Sequence, residues 1–113
     1  MHSPYANSFA LAMKPIDTKY APFAHFHLGE AGYVEYRTPG SPEFHAAVGS
    51  CIEEGHIAIV LASHGTMVLG RDIPAAFAKA DLLENYAKML IHAKTLGGAY
   101  KLDDKQLHDI VSG

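Results

Sequence analysis

A single cysteine, Cys51, stands in the 113 residues, so no internal disulfide can form and the paired-cysteine spacing of a zinc ribbon is absent. Its neighbours Ala47, Val48 and Ile52 recur at helical spacing, which reads Cys51 as a small core residue. No segment approaches the roughly eighteen unbroken apolar residues of a spanning helix, and the first residues lack the charged-then-apolar order of a signal peptide. The expected location is therefore cytoplasmic, away from the membrane. Basic runs are missing too: no Lys or Arg adjoins another, and nine basic residues face twelve acidic ones for a net charge of -3. Nucleic acid and anionic lipid surfaces find no electrostatic footprint here.

What is present suits one small globular domain, with 49% apolar residues to build a core. Ser3 and Pro4 fit the cap and first position of a helix running from about Pro4 to Met13, with Tyr5, Phe9, Ala12 and Met13 on one face. "KPIDTKYAP" has the composition of a loop. "FAHFHLGE" permits either a strand or a short helical turn before Gly29, while "YVEY" at Tyr33 to Tyr36 reads as a strand closed by "TPGSP". Ser41, Pro42 and Glu43 open a helix that carries Phe44, Ala47, Val48, Cys51 and Ile52 and stops at Gly55. "HIAIVLAS" is a strand buried on both faces, and "GTMVLG" a second one. Asp72 caps the longest helix, to about Leu96, whose expected inner face is Ile73, Ala76, Phe77, Ala80, Leu83, Ala87, Leu90 and Ile91. A last short helix follows Gly97 and Gly98, capped by Asp103 or Asp104.

Helices must cover both faces of the sheet, which makes a three-layer α/β/α arrangement the expected fold. Three or four strands leave two open sheet edges, an invitation to pair with further strands. Eight histidines are the chemically notable excess, histidine being the commonest neutral-pH metal ligand and acid or base. His45, His92 and His108 fall within helices beside polar neighbours and read as structural. His64 differs, because it ends a buried strand and precedes Gly65, where a side chain is held rigidly yet opens onto a crevice. His2 stands directly before a helix start, an unusual place for a ligand in a self-contained fold.

The stretch "AIVLASHGTMVLGRDIPAAFAKADLLENYAKM" resembles the class II aldolase/adducin family, that of L-fuculose-phosphate aldolase and L-ribulose-5-phosphate 4-epimerase. In that family a buried strand ends in His-Gly, a short strand follows, and an Asp-capped helix runs to an "LE", here Leu83-Glu84. The opening "HSPYANSFALA" is similar to the second half of the family's other signature, a His-x-His followed by Ser, a small or Pro residue, Tyr and Ala. The resemblance covers essentially all of 1–113. It implies that this chain is the C-terminal portion of one class II aldolase-like domain, an incomplete version of a fold with a mixed, mostly antiparallel central sheet.

By the same resemblance, His2 and His64 are two of three imidazole ligands of a divalent metal, typically zinc, and the first His of the His-x-His lies ahead of Met1. The implied activity is that of a metal-dependent lyase making or breaking a carbon-carbon bond in a small sugar phosphate or hydroxy-carbonyl substrate through an enediolate, whose charge the metal stabilises. An epimerase or decarboxylase of the family uses the same histidines, and a non-catalytic adducin-like association domain is the alternative. His25 matches a His in the family's Pro-rich stretch near the site. Phe26 departs from the family, standing where some members carry a proton-donating tyrosine; Tyr33 or Tyr36 is the substitute, and Tyr33 is paired with His25 as a catalytic candidate. The family is commonly tetrameric, so a homo-oligomer is expected. The missing upstream groups, the acid-base residue among them, imply that the chain alone is inactive.

Overall fold

The computed structural model describes residues 3–112. Along the chain run α1 (Pro4–Leu11), a 3₁₀ turn (Thr18–Tyr20), α2 (Pro22–Leu28), β1 (Gly32–Val34), α3 (Pro42–Glu53), β2 (Ala58–Leu61), β3 (Gly65–Val68), α4 (Ile73–Thr95) and α5 (Asp104–Ser112). The ambiguous "FAHFHL" is helical: Pro22 sits at its first position, and Gly29, at φ 63°, ends it in a conformation open chiefly to glycine. None of the helices is long and apolar enough to cross a membrane among the described residues.

The three strands form one mixed sheet in the order β1-β2-β3, β1 pairing parallel and β3 antiparallel to β2. Alternation along β2 explains the three layers. Ala58 and Val60 point into one cluster, with Ala6, Ala10, Leu83, Tyr86 and Ala87 of α1 and α4; Ile59 and Leu61 point into the other, with Val34 and Val48, against which Phe44, Ala47 and Cys51 of α3 pack. Both faces of the strand are thus dry, and each fully buried Val or Ile side chain contributes about 1.5–3 kcal/mol.

Helix starts are read correctly where a side chain supplies the cap. Ser41 Oγ accepts from Phe44 N at 3.1 Å, Asp72 Oδ1 from Ala75 N at 2.8 Å, and Asp103, rather than Asp104, from Gln106 N at 2.8 Å. Gln106 returns the favour by accepting from Asp103 N at 2.9 Å, a reciprocal capping box. Ser3 departs from expectation, making no side-chain cap bond to α1.

The buried face of α1 also differs from the sequence reading. Ala6 and Ala10 are the buried residues, Tyr5 and Phe9 pack beside them, and Ala12 and Met13 lie exposed beyond the helix end at Leu11. Alanines prevail because α1 lies against β2, β3 and α4 at once, and larger side chains there would hold it off. On α4 only Leu83, Tyr86 and Ala87 are buried. Ile73 is 85% exposed and Phe77 60%, so the first turns of α4 do not bury the face that the spacing assigns to the core.

Tyr86 closes the core on the loop side. Its hydroxyl donates to the Asp17 carbonyl at 2.5 Å and accepts from Tyr20 N at 3.4 Å, and burial pushes its pKa up to about 12. The start of α4 is fixed by close backbone contact. A Cβ on Gly70 would come within 2.5 Å of Ala76 N and 2.8 Å of Ala76 Cα. Gly70→Ala is therefore expected to lower stability by about 1–3 kcal/mol, read as a fall in the urea midpoint; an unchanged midpoint would show that β3 and α4 can part without cost.

Candidate functional site

The end of β2 turns sharply to present His64. Ser63 adopts φ 61°, a left-handed conformation that costs a non-glycine residue about 1–2 kcal/mol, and it is held there by Ser63 N donating to Ala10 O at 2.6 Å. His64 N then donates to Leu61 O at 2.9 Å, closing the turn. The imidazole is exposed and leans on Phe44, ring centroids 5.4 Å apart. Among the described residues no hydrogen bond or ion pair engages its ring nitrogens. The strained turn thus presents an imidazole that leans on Phe44 and whose ring nitrogens are unengaged among the described residues.

His64 stands in the wall of a cavity of about 510 Å³. Ser3, Asn7 and Thr66 give that wall polar groups, and Val68, Ile73 and Phe77 supply its apolar side. Thr66 Oγ1 donates to Asn7 Oδ1 at 3.1 Å, tying β3 to α1 across the cavity floor. The exposure of Ile73 and Phe77, unexplained by the core, follows from this placement.

The first turn of α1 is held from the far side by Glu84 of α4. Its Oε2 accepts from Tyr5 N at 3.0 Å and its Oε1 from Ala6 N at 2.8 Å. One carboxylate so satisfies two of the orphan donors of the helix, and its charge suits the positive end of the helix dipole. Glu84 takes the role expected of Ser3. Sequence reasoning quoted Leu83-Glu84 only as part of a family signature. The available signal was an acid lying between Leu83 and the buried Tyr86 and Ala87, since a carboxylate on an inward face needs donors. Asn7, Thr66 and Phe44 were also missed: Asn7 joins the cavity wall only when α1 docks on β3, Phe44 reaches His64 from α3, and Thr66 gave no signal beyond its place in a strand.

The other candidate residues are distributed differently. His2 lies outside the described residues; Ser3, its neighbour in sequence, lines the cavity. His25, on α2, and Tyr33, on β1, are not in the cavity wall. His25 Nδ1 is buried with no hydrogen-bond partner among the described residues, and Tyr33, opposite Val60 in the sheet, packs against the cluster beneath α1 and α4. No group of three or more His, Cys, Asp or Glu placed to hold a metal occurs among the described residues.

Residues 1–91 match the family described as the Class II Aldolase and Adducin N-terminal domain. An L-fuculose phosphate aldolase of Methanococcus maripaludis strain C7 is 33% identical over 88 residues, which are 78% of this chain and 47% of that protein. One of Methanococcus vannielii is 34% identical over 88 residues, 78% and 46% of the two chains. Among solved structures, an L-fuculose 1-phosphate aldolase superposes with a TM-score of 0.81 at 24% identity, over 98% of this chain and 51% of that one. That of Glaciozyma antarctica PI12 gives 0.71 at 21%, over 96% and 40%. These two structural likenesses speak to the fold. The chain spans about half the length of the curated relatives it matches.

The Asn7–Thr66 bond makes a direct test of the cavity floor. Asn7→Ala is expected to cost about 0.5–1 kcal/mol in urea unfolding, since the Thr66 hydroxyl can turn to water on one side of the open cavity. A loss of several kcal/mol would mean that Asn7 supports the core and not the cavity.

Proposed function

We propose that this chain, which belongs to the class II aldolase and adducin family, contributes His2 and His64 to the divalent-metal site of an aldolase-type lyase. The observation that carries this reading is His64 itself: an imidazole whose ring nitrogens are unengaged among the described residues, presented by a strained turn on the wall of a mixed polar and apolar cavity. Imidazole nitrogen suits zinc, and the family pattern makes zinc the ion of choice. When bound, such an ion supplies Lewis acidity for the negative charge that develops when a carbon-carbon bond breaks beside a carbonyl.

In this reading the 113 residues are the C-terminal portion of one class II aldolase-like domain. The third metal ligand and the acid-base residue come from sequence outside them. The substrate class is a small sugar phosphate or hydroxy-carbonyl compound, supported by a cavity in which Ser3, Asn7 and Thr66 can meet hydroxyls while Phe77 and Val68 offer apolar surface. His25 and Tyr33 are the candidates for proton transfer from this chain. The unpartnered Nδ1 supports His25, whereas Tyr33 rests on the sequence pattern alone. A free cysteine fits the reducing cytoplasm.

A second reading, association without catalysis, draws on Ile73 and Phe77, whose exposed side chains suit burial between copies of the chain as a homo-oligomer. Zinc calorimetry combined with light scattering separates the two. The lyase reading expects weak zinc binding that His64→Ala abolishes and His2→Ala weakens. It also expects no cleavage of sugar phosphates by the chain alone, because a missing general acid-base forfeits roughly 10²- to 10⁴-fold. Unchanged zinc affinity in His64→Ala, with a stable metal-independent oligomer, would favour association.

A further inference from the structure

We propose that the cavity between the end of α1 and the last turns of α4 binds a small organic anion with a ring-sized apolar body, an aryl carboxylate being the simplest of the class. The cavity has a volume of about 580 Å³ and shares no lining residue with the one that holds His64. Its walls are largely apolar, with Phe9, Pro15, Leu90 and Ile91 among them. Two ammonium groups, those of Lys14 and Lys94, stand in the same walls, and neither has a hydrogen-bond or ion-pair partner among the described residues. The acid of the lining, Asp17, is already engaged: its Oδ2 pairs with Lys101 at 3.1 Å and its Oδ1 accepts from Lys19 N at 2.9 Å. Two cations without a local counter-charge on an apolar cavity call for a ligand that brings one.

The backbone brings these groups together. Met13 adopts φ 54°, a conformation uncommon for a residue other than glycine, and Lys14 N donates to Phe9 O at 2.9 Å, so the chain doubles back after α1 and places Lys14 and Pro15 in a wall shared with Leu90 and Lys94 of α4. Apolar walls with a few placed polar groups are the usual make-up of a small-molecule site. The same walls set the class of ligand. A sugar phosphate would leave its hydroxyls facing Leu90, Ile91 and Pro15 without partners, and inorganic phosphate would leave the apolar surface wet. A ring fills that surface, and its carboxylate meets the lysines in charge-assisted hydrogen bonds. Lysine also suits a single compact charge, where the arginine fork would select a planar bidentate partner.

The test is a titration of the 113-residue chain with sodium 2-naphthoate, followed by backbone amide shifts in NMR and by light scattering. Saturable one-site shifts are expected at Phe9, Ala12, Leu90 and Ile91, with His64 and Thr66 unmoved. The neutral 2-naphthamide is expected to bind about 10-fold more weakly, and inorganic phosphate to give no saturable shift. Lys14→Met and Lys94→Met keep the apolar stem and remove the charge; both positions are exposed, so both variants should melt as the wild type does. Each is expected to weaken naphthoate by about 3- to 10-fold and to leave the amide unaffected. Equal binding of acid and amide, unchanged naphthoate affinity in both lysine variants, or shifts centred on His64 would overturn the proposal. So would failure to bind naphthoate together with concentration-dependent shifts of the same residues in the free chain, which would assign this face to a second copy. Zinc takes no part in any of these measurements, so their failure leaves the lyase reading untouched.

Discussion

The contact on which the rest of the structure depends is the carboxylate of Glu84 against the backbone of Tyr5 and Ala6. A three-stranded sheet with α3 on one face needs a cover on the other, and α1 is too short to supply it alone: eight residues lie below the length at which an isolated helix persists in water. It forms because its alanine face is buried and because its first donors are satisfied by a charge on the longest helix. Those bonds join residues 79 and 78 positions apart in the sequence. The same contact closes the core and sets one rim of the cavity.

The rim opposite is built by strain. Ser63 would not hold a left-handed conformation without the bond to Ala10 O, and Ala10 is in place only because α1 is docked. Helix docking and the presentation of His64 are therefore one event, transmitted through backbone atoms. The first turns of α4 complete the cavity, their exposed Ile73 and Phe77 held in position by the close backbone passage at Gly70. Stability and site geometry draw on the same few contacts, so substitutions at Gly70 or Glu84 affect both.

Much of this was legible in the sequence where the determinant is local. Asp72, Ser41 and Asp103 are caps whose partners lie three residues on, and the unbroken apolar run of β2 announces a strand buried on two faces. His64 was legible as well, from the coincidence of strand end and glycine. Amphipathic spacing misled on α1 and on the start of α4, for opposite reasons. On α1, large residues yielded the interior to Ala6 and Ala10 because three elements crowd one short helix. On α4, apolar residues at the correct spacing face a cavity and not a core. Glu84 was legible only in part: an acid on an inward face announces a need for donors, but nothing near it in sequence reveals that they lie 79 and 78 residues away.

Amide hydrogen exchange at Tyr5 and Ala6 measures the central contact most directly. First-turn amides of a helix have no intrahelical acceptor and ordinarily exchange with water almost unprotected. Here they are expected to be protected to the level of Leu83 and Ala87 in the middle of α4, because they open only when α1 leaves Glu84. Exchange at the unprotected rate, with α4 still slow, would contradict the account by showing that the start of α1 is not held by the carboxylate.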